Sequence, residues 1–170
     1  MTAAEIKKLF QLEQHPREGG WYIRTYESAE FIPPASLPAR YGHAGKPRRT
    51  GTAIYYLLEP DTFSEMHRLK SDEIFHFYLG DPVEMLQLLP DGEAMTIILG
   101  NDLKSGQTPQ LTVPHGVWQG SRLLPGGSYA LLGCTVSPGF EFDDYESGER
   151  SKLSAEWPRY AKMIEQLTRS

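Results

Sequence analysis

Cysteine is nearly absent from this chain: there is one, Cys134, among 170 residues. A lone thiol closes no internal disulfide, so the fold must be held by packing, and a reducing compartment, the cytoplasm, is the expected setting. Long apolar runs are missing as well. No stretch approaches the ~20 residues that span a bilayer. The opening MTAAEIKKLFQLEQ has neither the unbroken apolar run nor the small-residue cleavage site of a secretory signal. Basic charge is not in excess. With 17 Lys and Arg against 22 Asp and Glu the net charge is −5, which argues against nonspecific nucleic-acid binding. No Gly-rich phosphate loop, nucleophile elbow, CxxC pair or HExxH helix occurs. The expected partner is a small molecule, not a nucleic acid or a membrane.

What the chain does contain suits one globular domain over residues 1–170, with 39% hydrophobic and 11% aromatic residues. Residues 2–13 read as an amphipathic helix, because Ile6, Leu9 and Phe10 recur at helical spacing and Thr2 can cap. Gly19 and Gly20 suit a turn before the β-favouring Trp21–Tyr26. Residues 29–50 carry Pro33, Pro34, Pro38 and Pro47 and read as a long loop, with Lys46, Arg48 and Arg49 as a basic cluster that either meets a phosphate or carboxylate or, the preferred reading, stays solvated. Short strands follow near 51–58, 63–69, 73–79, 83–89, 94–99, 110–113, 117–124 and 128–136. Turn residues separate them, and a hairpin is expected around Pro90-Asp91-Gly92. This is the pattern of an antiparallel sandwich or barrel. A C-terminal helix is expected from a Ser154 cap, with Pro158 in its first turn and Trp157, Tyr160, Ile164 and Leu167 on one face.

The stretch FSEMHRLKSDEIFHFYLG, residues 63–80, carries the chemistry. Strand alternation puts Glu73, Phe75 and Phe77 on one face and Ile74, His76 and Tyr78 on the other. A carboxylate among inward aromatic rings is costly to bury unless compensated, and His67 is the nearest candidate in sequence.

The spacing His67, Glu73, Gly80, with six residues between the last two, is similar to the first motif of the cupins, and Pro114 and Gly116 in VPHGVWQG to the second. With HPREGGW, TAIYYLL and PGFEFDDYE, the likeness extends over most of the chain. It resembles a small cupin family of undefined function, found in bacteria, fungi and plants. The resemblance implies an all-β jelly-roll (double-stranded β-helix) barrel with short terminal helices.

The departures bear on function. Metal-binding cupins use two histidines and a glutamate of the first motif with one histidine of the second. Here the second and third imidazole positions are Leu69 and Gln119. Any metal would meet only His67, Glu73 and Gln119, a donor set poor in imidazole unless His15, His43 or His115 completes it. The expectation is a metal-independent site. The resemblance to metal-free epimerases of sugar nucleotides implies a histidine base, His67 oriented by Glu73, and a tyrosine acid. Tyr78 is placed in that role, with Tyr55 and Tyr56 as alternatives. Gln119, Phe75, Phe77, Trp118 and Trp21 are expected to hold the ligand. Two other readings stay open: a divalent-metal dioxygenase or isomerase, and a metabolite-binding module without catalysis. Cupins similar to this chain pair through an exchanged edge strand, which implies a homodimer with contacts around Trp21–Tyr26.

Overall fold

The computed structural model describes residues 1–42 and 46–169; His43 lies outside them. Thr2 caps α1 (Ala3–Phe10) by accepting from the Glu5 backbone while the Glu5 side chain accepts from Thr2. The helix ends three residues earlier than its spacing suggests, because Gln11 turns left-handed. In chain order the strands are β1 (Glu13–Gln14), β2 (Trp21–Glu27), β3 (Phe31–Ile32), β4 (Arg48–Arg49), β5 (Thr52–Leu58) and β6 (Phe63–Arg68). Then come β7 (Asp72–Gly80), β8 (Val83–Leu88), β9 (Ala94–Leu99), β10 (Gln110–Val113), β11 (Trp118–Leu123), β12 (Ala130–Ser137) and β13 (Glu146–Ser147).

Two antiparallel sheets face each other, in the orders β1-β2-β5-β12-β7-β10 and β13-β6-β11-β8-β9. This is the antiparallel two-sheet arrangement that the strand spacing and turn residues imply, and the jelly roll that the cupin resemblance implies. Gly92, at φ 88°, closes the β8–β9 hairpin where Pro-Asp-Gly sits in the sequence. Phe75, Phe77, Tyr56, Met85 and Leu132 fill the space between the sheets. On the outside, α1 covers Leu57 and Leu131 of the first sheet. The C-terminal helices cover Met66, Leu86 and Leu88 of the second.

Two expectations fail here for identifiable reasons. The C-terminal helix is broken into α2 (Arg150–Glu156) and α3 (Ala161–Gln166) by a 3-10 turn at Pro158–Tyr160, because Pro158 has no N–H to continue the ladder. Ser154 therefore lies inside α2 and caps nothing. The proline-rich segment is also more ordered than a solvated loop. It holds two 3-10 turns, and β4 pairs with β3. Arg48 is buried against Asp144, and Arg49 donates to the Ser28 carbonyl at 2.6 Å.

Candidate active site

His67 and Gln119 are direct cross-strand partners on β6 and β11, in the second sheet. Glu73 is on β7 of the first sheet, between Val136 and Val113. The two residues read from the sequence therefore face one another across the barrel through Gln119, and Glu73 does not itself orient His67 as expected, because Gln119 stands between them. The Gln119 amide donates to Glu73 Oε2 at 2.5 Å and lies 3.4 Å from His67 Nε2. On the other side of the ring, Nδ1 is 2.7 Å from the Glu65 carbonyl oxygen, which can only accept. The neutral ring thus carries its proton on Nδ1 and leaves Nε2 as an acceptor. Tyr145 stacks on the ring at 4.7 Å and donates to the Glu65 carboxylate at 2.9 Å, fixing the imidazole plane.

Glu73 is 7% exposed. Burial, reinforced by the nearby negative charge of Glu18, lifts its pKa from 4.5 to about 8, against hydrogen bonds from Gln119 and Cys134 that favour the ionised form. At neutral pH Glu73 is mainly a carboxylic acid. Because Gln119 donates to Oε2, the acid proton is left to Oε1.

A second turn of chain brings His15, which the sequence offered only as a completing metal ligand, together with Glu18, Tyr22 and Arg24, which it did not single out. Gly19 and Gly20, at φ 101° and 66°, let residues 15–20 press against β6, where a side chain at Gly19 would strike the Phe63 carbonyl. Glu18 is fastened there: its carbonyl accepts from Glu65 N at 2.9 Å and its carboxylate from Ser64 Oγ at 2.5 Å. His15 caps the turn, with Nδ1 accepting from Glu18 N at 2.8 Å, and its ring packs edge-on to Tyr22. His15, Glu18, Tyr22, Arg24, His67 and Glu73 all line one cavity of about 30 Å³, with Phe140 on its wall. That is space for one or two waters. The only sequence sign of this second cluster was HPRE placed before a glycine pair.

The remaining sequence candidates fall elsewhere. Tyr78 is 44% exposed on the outer face of β7, lying over Gly133 and edge-on to Tyr55. Alternation from Glu73 sends it outward, so it does not serve as the site's acid. Tyr55 packs outside against Phe10, and Tyr56 commits its hydroxyl to the Gly19 carbonyl at 2.8 Å. Phe75 and Phe77 share the inward face with Glu73 but lie in the filled core. Trp118 packs outside under Arg68, 4.4 Å from its ring, and Trp21 lies beneath Lys7. Neither lines the cavity. His115 pairs with Asp72 at 2.9 Å on the surface.

The residues present do not fit the divalent cation of other cupin barrels. Leu69 packs with Val136 and Tyr145, Gln119 turns N–H groups toward both potential ligands, and Glu73 holds a proton. Among the described residues no three His, Cys, Asp or Glu side chains converge on a metal-sized point. Also among the described residues, no helix is long and apolar enough to cross a membrane.

Glu73 makes stability depend on pH in a definite direction. Between pH 4.5 and about 8 the folded chain keeps a proton that the unfolded chain has lost, so this group's contribution falls as pH rises through that window. His15 acts oppositely, since burial holds its pKa below 6.5 and it loses stability as pH drops under that value. Glu73→Gln is expected to flatten the decline in the urea midpoint between pH 6.5 and 8. An unchanged slope would show that Glu73 is ionised in the fold.

Residues 4–148 match the profile described as Cupin superfamily (DUF985). An uncharacterised protein of Saccharomyces cerevisiae is 31% identical over 142 residues, 80% of this chain and 70% of that one. A crystal structure of a Shewanella oneidensis protein superposes with a TM-score of 0.85 at 36% identity, covering 99% of this chain and 98% of that one. A hypothetical protein from Leishmania major gives 0.88 at 30% identity over the full length of both. Oxalate decarboxylase from Bacillus subtilis, at 13% identity and a TM-score of 0.53 over 93% of this chain and 38% of that one, shares the barrel alone. With its two facing sheets, its motif spacing and these relatives, the chain belongs to the DUF985 family of the cupin superfamily.

Proposed function

We propose that the barrel binds the carbonyl end of a sugar or nucleotide-sugar derivative and moves a proton along it without a metal, as an isomerase or epimerase. One observation carries this reading: the Gln119 amide lies between the accepting nitrogen of His67, at 3.4 Å, and the carboxyl of Glu73, at 2.5 Å, whose burial raises its pKa to about 8. A nitrogen that accepts and a carboxyl that donates, held side by side, are what general acid–base catalysis at a carbon next to a carbonyl requires. His67 Nε2 takes the proton from that carbon, and the C–H electron pair becomes a C=C bond. The carbonyl π pair moves onto oxygen, which takes the Glu73 proton. In the return half the imidazolium gives its proton to the neighbouring carbon, and the Glu73 carboxylate removes the proton of the second hydroxyl as the new carbonyl forms. The cavity of about 30 Å³, with Phe140 among its walls, admits the reacting end only if side chains around it shift. Fold likeness does not choose the reaction, because one barrel carries many chemistries.

The test is deuterium uptake from D2O at the carbon next to the carbonyl in a panel of aldose and ketose phosphates. Uptake that persists within twofold after exhaustive dialysis against a chelator is the expected result. Uptake lost on chelation would restore the metal-dependent reading, and no uptake from any member would favour a binding module. We also propose a homodimer through the outer face of the first sheet, where Tyr26 and Tyr78 are exposed. Light scattering should give the mass of two chains at micromolar concentration, and the mass of one would rule this out.

A further inference from the structure

We propose that His15 is a second catalytic residue, a neutral imidazole that donates from Nε2 to the substrate oxygen on which charge gathers, and that the substrate is anionic, held by Arg24. The proposal rests on the proton-transfer reading above and adds to it a residue and a substrate class.

The two imidazoles of the cavity are locked in opposite tautomers by the backbone. His67 Nδ1 faces a carbonyl oxygen at 2.7 Å, so its Nε2 accepts. His15 Nδ1 faces backbone N–H groups, Glu18 at 2.8 Å and Arg17 at 3.4 Å, so in the neutral ring the proton must sit on Nε2. Both rings line the same cavity. Among the described residues the Nε2 of His15 has no acceptor within hydrogen-bond distance, the nearest carboxylate oxygen, of Glu18, being 3.9 Å away. Burial disfavours the charged ring, and so does charge on His67, against the carboxylates of Glu18 and Glu65, and the balance lowers the pKa of His15.

An enediolate has two oxygens, and Glu73 can serve one at a time. A fixed neutral N–H beside the other stabilises the charge in the transition state without competing for the proton in the ground state. The atom balance is unchanged by this, because His15 donates a hydrogen bond and transfers nothing.

Arg24 supplies the second half of the argument. It is the Lys or Arg side chain on the cavity wall, its side chain is 34% exposed, and its own pairing with Glu27 is long, at 3.4 Å. A guanidinium at the rim of a cavity whose floor is carboxyl and imidazole selects a phosphate or carboxylate on the part of the ligand left outside. The substrate class is therefore a phosphorylated or carboxylated α-hydroxycarbonyl compound.

Two measurements test this on the whole chain. Nitrogen-15 histidine NMR at neutral pH should show His15 as the Nε2–H tautomer and His67 as the Nδ1–H tautomer; an Nδ1–H His15 overturns the proposal whatever the activity. With glyceraldehyde 3-phosphate as probe, His15→Phe should lower the turnover of deuterium exchange about 100-fold with KM within twofold. His15→Gln, which keeps an N–H donor, should recover about tenfold of that loss, and Arg24→Gln should raise KM alone. Equal losses in His15→Phe and His15→Gln that follow their melting temperatures would mark His15 as merely structural. Exchange in the wild type that is unchanged in His15→Phe overturns the role of His15 and leaves the proposed function standing. No exchange in the wild type from any member of the aldose and ketose phosphate panel overturns both.

Discussion

His67→Ala is expected to lower proton exchange at the substrate carbon by about 10³-fold, within the range that loss of a general base costs. The ring is 1% exposed and its Nε2 is the acceptor that reaches the cavity beside Glu73. Neither Gln119, whose amide turns N–H groups inward, nor Glu73, protonated at neutral pH, can replace a base there. The substitution also removes the stacking partner of Tyr145 and leaves the Glu65 carbonyl without its donor, so a loss of about 2–4 kcal/mol in stability accompanies it. His67→Gln separates the two effects. A glutamine fills more of the space and can still hydrogen-bond, but it accepts no proton at neutral pH. It should be nearly as inactive as His67→Ala while recovering much of the urea midpoint. Exchange that survives in His67→Gln would remove His67 from the reaction.

The β-barrel was legible in the sequence because its signals are local. Alternation in DEIFHFY fixes which face is buried, and Pro-Asp-Gly at 90–92 fixes a hairpin wherever the rest of the chain goes. Half of the site was legible for the same reason: once Glu73 points inward, a buried carboxyl needs partners, and His67 and Gln119 occupy the motif positions that supply them. What stayed hidden depends on contacts between distant segments. Nothing in HPRE states that a glycine pair will fold it over β6 and set His15 and Glu18 beside His67. Tyr78 shows the converse. It was assigned a role by chemical type, although the parity of its own strand already sent it outside. The short β7–β12 register shift beside it, between Leu131 and Leu132, does not bring it back. Pro158 and Arg48 fail alike, since a helix period and a charge count are both overridden by specific backbone and burial terms.

Arg48→Ala should be the most destabilising single substitution in the proline-rich segment, costing about 3–5 kcal/mol because it strands a buried charge. The Asp144 side chain is 3% exposed and is paired directly with the Arg48 guanidinium, whose Nη2 also reaches the Gly139 carbonyl at 3.3 Å. Without Arg48, the remaining cation, Lys70, stands 3.9 Å away and is itself well exposed, too weak a partner to compensate a carboxylate in that position. A melting temperature lower by roughly 10 °C is the expected reading, and the double variant Arg48→Met with Asp144→Leu should recover most of it, because removing both charges removes the desolvation cost as well. Recovery that fails would mean the pair is held for something besides charge balance. The consequence reaches the site. Asp144 lies between Phe140, on the cavity wall, and Tyr145, stacked on His67. The segment that contributes Phe140 to the cavity wall is thus fastened to the fold by an ion pair from the proline-rich segment. Arg48→Ala should therefore raise the KM for a ligand at Phe140 and leave the tautomer of His67, set by Glu65, unchanged.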